Sequence, residues 1–196
     1  ADYKGHSYFF YHTGKLPGGG GFGRSAAVEE FKYNADGTFP IIHHTDKGVD
    51  PIGKLNPFQR VEAETMAFSR GVKSEQNAKD GVYITEIHNG DYIKVREVDF
   101  SKQPRLFSAS VSSGIRGGVM EVHLDSIKGE KIAEIKIGNT GGWENWTSVN
   151  TEIEKTVSGI RDLYFVFKGE KGVKLMNFNW WQMSLSVPPK EKKIKK

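Results

Sequence analysis

The chain contains no cysteine, so neither a disulfide framework nor a thiolate metal site is open to it, and redox chemistry says nothing of its compartment. Long apolar runs are also missing: no stretch approaches the roughly 20 residues that a membrane-spanning helix needs, and the opening residues lack the basic and apolar regions of a secretion signal. Helical periodicity is scarce, and no segment after Asn56 sustains apolar residues at i, i+3, i+4 and i+7. An excess of one charge sign is lacking as well, once the C-terminus is set aside. The formal net charge is +4, yet Lys190-Glu-Lys-Lys-Ile-Lys-Lys196 alone holds five lysines against one glutamate. The remaining body is close to neutral, which removes the electrostatic footprint of a nucleic-acid binder. The tail, 186–196, reads as a solvated end after Pro188-Pro189.

Catalytic motifs are equally sparse. Gly18-Gly-Gly-Gly21 is not followed by Gly-Lys-Ser/Thr and a helix, so it is not a phosphate loop. No Gly-x-Ser-x-Gly elbow occurs. His43-His44 has no further ligand at metal-binding spacing, and Glu29 and Glu30, adjacent on a strand, point to opposite faces and cannot act as a carboxylate pair.

What is present is strand pattern. Phe107, Ala109 and Val111 alternate with Ser108, Ser110 and Ser112; Val122 and Leu124 alternate with Glu121 and His123; Ala133, Ile135 and Ile137 alternate with Glu134 and Lys136. Each is the signature of a strand with one buried face. Leu163-Tyr-Phe-Val-Phe167 is apolar without alternation, as in a strand covered on both sides. Turn residues separate these runs at short intervals, as at Asn89-Gly90-Asp91, Gly117-Gly118 and Lys168-Gly169. Many short strands joined by glycine turns predict an all-β fold, a jelly-roll β-sandwich. The first residues differ. Tyr8-Phe-Phe-Tyr11 and Ala26–Tyr33 read as two strands around a glycine-rich loop, too few to close a core alone, and are expected to belong to a larger sheet assembly upstream. The expected organisation is 1–46, a linker over 47–56 broken by Gly48, Pro51 and Gly53, a sandwich over 57–185, and the tail.

Two local features point to chemistry. Thr140-Gly-Gly-Trp-Glu-Asn-Trp146 puts two tryptophans in a turn-forming segment. An indole gains most where a face meets apolar surface and an edge meets a polar group, and a sugar ring, with its C–H face and hydroxyl rim, is such a surface. Gly141 and Gly142 are expected to lift Trp143 out of the sheet, whereas Trp146 opens Trp146-Thr-Ser-Val149 and is expected to be buried. Secondly, Glu62 and Glu64 share a strand face while Val61 and Ala63 face inward. Their repulsion calls for Arg60, Arg70 or a cation, and calcium is the ion that carboxylate and carbonyl oxygens favour.

Several motifs in order carry a family likeness: Arg60-Val-Glu-Ala-Glu64, Gly81-Val-Tyr-Ile84, Asn89-Gly-Asp-Tyr-Ile93, Phe107–Ser113, Glu121-Val-His-Leu-Asp125, Thr140-Gly-Gly-Trp143 with Trp146, Asp162–Gly169 and Leu175-Met-Asn-Phe-Asn-Trp180. Phe58 to Met183 resembles a carbohydrate-binding module of family 6 over essentially its whole span. The resemblance implies a site in the loops at one end of the sandwich, where Tyr83 and Trp143 stack on the two faces of one sugar and Asn177 hydrogen-bonds it. Such a slot suits xylose, which lacks the exocyclic hydroxymethyl, so xylan or arabinoxylan is the expected ligand. The resemblance also implies a structural calcium at Glu62 and Glu64, with Asn179 where an acid is usual and hence one negative charge fewer. Some members use a second groove on the sheet face, for which Tyr92, Lys94 and Arg96 are the candidates here.

Tyr8-Phe-Phe-Tyr-His-Thr-Gly14, the glycine loop and Gly23-Arg-Ser-Ala-Ala-Val-Glu29 are similar to the closing blade of the five-bladed propeller of glycoside hydrolase family 43, in its arabinofuranosidase and xylosidase branch. That likeness implies His12 near the central channel and Arg24 near an active site whose acids lie on earlier blades. The sequence therefore predicts a noncatalytic module, secreted or at the cell surface, that holds an attached glycoside hydrolase on xylan. The alternative is a module that chiefly supports the propeller of an arabinoxylan arabinofuranohydrolase or xylosidase, and a third reading is a purely structural docking domain.

Overall fold

Alternating side chains and glycine turns are realised in the computed structural model as fourteen strands, with no helix, among the described residues, which are 1–3, 5–15, 24–50 and 53–187. The Gly18–Gly21 run, Gly23 and the lysines from 190 onward lie outside them. Two compact units are present, Ala1–Gly53 and Lys54–Lys196.

The first unit is a three-stranded antiparallel sheet in the order β1 (Asp2–Tyr3), β2 (His6–Thr13), β3 (Ser25–Phe31). Its two longer strands are those the sequence predicts; Tyr8 and Phe31 are its buried apolar residues. Glu29 is buried as well, accepting hydrogen bonds from Thr45 N at 2.6 Å, Thr45 Oγ1 at 2.9 Å and Tyr11 Oη at 3.2 Å. Those donors, the Thr45 amide first, hold its carboxyl below the usual glutamate range. Arg24 and His12 stand 3.2 Å apart, Nη1 to Nε2, on an exposed surface.

The second unit is a sandwich. Its strands are β4 (Val61–Glu62), β5 (Phe68–Arg70), β6 (Lys73–Asn77), β7 (Gly81–Ile87), β8 (Tyr92–Asp99), β9 (Leu106–Ser113), β10 (Gly118–Leu124), β11 (Lys131–Ile137), β12 (Gly142–Glu152), β13 (Ile160–Lys168) and β14 (Met176–Ser184). One sheet runs β11-β10-β13-β8-β5; the other runs β12-β9-β14-β7-β6, with β4 added to β14. Their inner faces meet in an aromatic core where Phe165 of β13 packs on Phe107, Phe178 and Trp181 of the opposite sheet, with ring centroids 5.3–5.7 Å apart. These rings are shut off from solvent, and burial of this kind supplies most of the fold's stabilisation, about 25 cal/mol for each Å² of apolar surface. Leu55, placed in the linker by the sequence, is instead bonded into this unit. Its N–H donates to Glu97 O and its carbonyl accepts from Asp99 N, both at 2.9 Å, because an apolar side chain next to β8 gains more by packing than by exposure.

One irregularity decides which tryptophan is core. Phe178 pairs with Val111 and Trp180 with Ser110, so Asn179 is an extra residue on β14. The bulge resets the alternation, letting both Phe178 and Trp181 face inward while Trp180 turns out beneath the Arg60 guanidinium, 5.2 Å from its ring centroid.

Candidate functional site

At one end of the second sheet, β12 stops following β9. Gly142 opposes Ser113 and Thr147 opposes Val111, so residues 143–146 stand against Ser112 alone. Gly141 and Gly142, with φ of 92° and 154°, bring the chain into this excursion through conformations that a side chain disfavours. The bulge is drawn onto the sheet through the Trp143 carbonyl, which accepts from Ser112 Oγ at 2.6 Å and Asn177 Nδ2 at 2.8 Å. Ser112 and Asn177 are register partners, and Asn177 Oδ1 accepts from Thr85 Oγ1 of β7 at 2.8 Å. A polar row therefore crosses β9, β14 and β7 beneath the bulge. All three side chains are buried, and each has a partner, as burial demands: Thr85 donates to Asn177, and Ser112 and Asn177 both donate to the Trp143 carbonyl.

The two indoles take different places. Trp143 is half-buried. Its edge lies so close to Gly114 that a Cβ there would stand 2.8 Å from Nε1, and Lys174 Nζ lies 4.5 Å from its ring centroid. Trp146, expected in the core, is also only half-buried, because the bulge removes it from the alternation of β12. Its ring stands edge-on to Tyr83, centroids 5.3 Å apart at 70°, and its Nε1 is buried without a partner. Tyr83 is 7 % exposed and donates from Oη to Glu75 Oε2 at 3.1 Å. Burial first, and then this bond, push its phenol up.

Of the three residues expected at a sugar site, Trp143 and Asn177 are thus brought together through a main-chain carbonyl, while Tyr83 has Trp146 as its indole neighbour. Asn177 acts first as a brace, with one N–H and one lone pair left over. Ser112, Thr85, Gly114 and Lys174 were missed by sequence reasoning. Only the serine alternation of β9 hinted at one of them. On the other sheet, Tyr92 lies between Phe68 and Tyr164, each centroid 6.1 Å away, and Lys94 is paired with Asp162 at 2.7 Å.

The carboxylates of the N-terminal motif separate in role. Glu62 is held by Arg60, Nε to Oε1 at 2.8 Å and Nη2 to Oε2 at 3.0 Å, so its charge is already answered. The strand ends there and the chain turns, Thr65 N donating to Glu62 O. Glu64 Oε2 is buried and unpartnered, and desolvation pushes its carboxyl above the usual range. Asn179 Oδ1 is likewise a buried orphan, and its backbone is adjacent, Ala63 N donating to Asn179 O at 2.7 Å. Two unanswered acceptor oxygens fit a hard cation. Among the described residues no three His, Cys, Asp or Glu side chains converge, so such an ion would draw on amide and main-chain oxygens as well.

The fold is a β-sandwich domain with no helix among the described residues, and comparison with known proteins identifies the family. Residues 62–185 match the carbohydrate binding module (family 6), and the chain belongs to that family. It is 34 % identical over 193 residues to the arabinoxylan arabinofuranohydrolase of Paenibacillus polymyxa, covering 93 % of this chain and 30 % of that protein. The solved glycoside hydrolase family 43 arabinoxylan arabinofuranohydrolase from Bacillus subtilis, in complex with cellotetraose, superposes with a TM-score of 0.81 at 34 % identity, over 92 % of this chain and 39 % of that one. A family 6 module from Clostridium cellulolyticum in complex with xylose gives a TM-score of 0.63 at 34 % identity, over 66 % of this chain and 99 % of that module. The chain thus spans about a third of the length of the hydrolases it resembles, and the likeness takes in residues ahead of the module.

Proposed function

We propose that this module binds xylan or arabinoxylan at the Trp143 bulge and, outside the cell, keeps an attached glycoside hydrolase at the polymer surface. The observation that carries the reading is the half-exposed indole of Trp143, fixed by two hydrogen bonds to its carbonyl from buried Ser112 and Asn177. A platform held this firmly loses little entropy when a sugar stacks on it. Tyr83 and Trp146, edge-on to each other, are proposed as the adjoining aromatic wall, and Asn177 has hydrogen-bonding capacity to spare. The xylose complex of the related module supports a pentose ligand. A disaccharide of about 20 heavy atoms at about 0.3 kcal/mol each gives a Kd of about 0.1 mM. Such affinity suits retention on a polymer through raised effective concentration. In a xylan affinity gel the chain is retarded and Trp143→Ala migrates freely while keeping its fold; equal retardation of the two would reject this site.

The Glu64 and Asn179 oxygens are proposed to hold a structural calcium, with Glu62 assigned to Arg60. A calcium there would answer two buried oxygens and tie the N-terminal strand β4 to β14. The parent protein is proposed to be a family 43 arabinofuranosidase or xylosidase. Support of a propeller by the module is the second reading, favoured by a likeness that extends ahead of the family 6 module as well.

A further inference from the structure

We propose that Lys174 makes the candidate site selective for xylan that carries carboxylate groups, as in uronic-acid-decorated chains, over neutral xylan. This rests on Trp143 being the sugar platform. The Lys174 ammonium lies 4.5 Å from the centre of that ring, a cation–π distance. It is placed there by the fold: Leu175 and Met176, which follow it, are fully buried, and Leu175 N donates to Ile87 O at 2.8 Å. The carboxylate facing it, Glu86 Oε1, is 3.8 Å away, too far for a hydrogen bond. Glu86 itself sits at a φ of 50°.

A pyranose that stacks on this face displaces the ammonium. A neutral ring offers it only hydroxyls, whereas an acidic sugar offers a carboxylate, and a charge-assisted hydrogen bond is about twice as strong as a neutral one. A second observation supports an anionic substituent. Next to Gly114, which bears on the indole edge, a cavity of about 330 Å³ is lined by Arg116, Lys136, Gly117, Gly118, Gly169 and Glu170 among others. Its two cations outnumber its one acid, a balance that would favour an anionic side group reaching it.

The test is calorimetric titration of the whole chain with xylotetraose and with xylotetraose bearing one glucuronic acid, at low and at high salt. At low salt the acidic ligand binds about five-fold more tightly, and salt narrows the difference by screening. Lys174→Ala brings the ratio close to one by weakening the acidic ligand, and Lys174→Arg restores the preference. Equal affinities in the unaltered chain, or a preference that survives Lys174→Ala, would overturn the role of Lys174 and leave the sugar site standing. Binding of neither ligand would reject the site and the selectivity together. The salt dependence and Lys174→Arg keep the question decidable should Lys174→Ala fold poorly.

Discussion

Gly114 is a small residue with a sharp constraint on it. A Cβ at this position would meet Trp143 Nε1 at 2.8 Å and Cε2 at 3.0 Å, so Gly114→Ala must push the indole aside. The expected outcome is a several-fold loss of xylan retention with Trp143 intact and the thermal unfolding curve little changed; full retention would show that the indole position is immaterial. Asp125 carries a separate prediction. Its carboxylate accepts from Arg161 Nε at 2.7 Å and from Asp162 N at 3.1 Å, and the Arg161 guanidinium holds its pKa below the usual aspartate value. The native state therefore binds fewer protons than the unfolded chain near that value. This contribution is complete above about pH 4 and is lost as the pH falls through the folded pKa. Asp125→Asn keeps a residue tolerant of the φ of 60° found there. It should lower Tm at pH 7 slightly and flatten the fall of Tm below pH 4; an unchanged acid limb would contradict the pairing. At this scale the sequence was informative about residue types and silent about neighbours. Trp143 could be singled out because two glycines precede it. Lys174 could not, since nothing in a lysine before an apolar strand says which ring it will cover.

The decisive element is the bulge of residues 143–146. Its anchor predicts that Ser112→Ala, which removes one of two donors to the Trp143 carbonyl, costs about 1 kcal/mol. Asn177→Ala should cost more, because Thr85 Oγ1 also loses its acceptor. Chemical denaturation of the two variants measures both; an Asn177→Ala variant as stable as the parent would contradict the brace. The joint of β4 with β14 carries the calcium prediction. Added calcium should raise Tm by several degrees and a chelator should reverse it, through binding to the native state alone. Glu64→Gln should abolish the response. A Tm indifferent to both reagents would reject the ion. Alternation made β9, β10 and β11 legible as strands, but β9 is buried on both faces, Ser110 and Ser112 included, because the bulge of β12 covers the serine side at Ser112, which alternation does not reveal. The excursion in β12 and the extra residue at Asn179 were hidden, because a bulge changes which residues face inward without changing the composition that signals a strand. Trp146 was assigned to the core for that reason.

For the whole molecule, composition excluded disulfides and removed the electrostatic footprint of a nucleic-acid binder, and turn spacing pointed to a sandwich; the division at Gly53 lies inside the stretch where prolines and glycines interrupt the pattern. The glutamates in the first unit are spoken for, Glu29 by Thr45 and Tyr11 and Glu30 by His6 at 2.6 Å. The chain alone should accordingly release neither arabinose nor xylose from arabinoxylan while still being retained by it. Sugar release detected by chromatography would shift the account from binding to catalysis. The most direct test of the central claim is calorimetric titration of the 196-residue chain and its Trp143→Ala variant with xylobiose. The account predicts a Kd of about 0.1 mM for the former and no measurable heat for the latter; equal binding by both, or by neither, would contradict it.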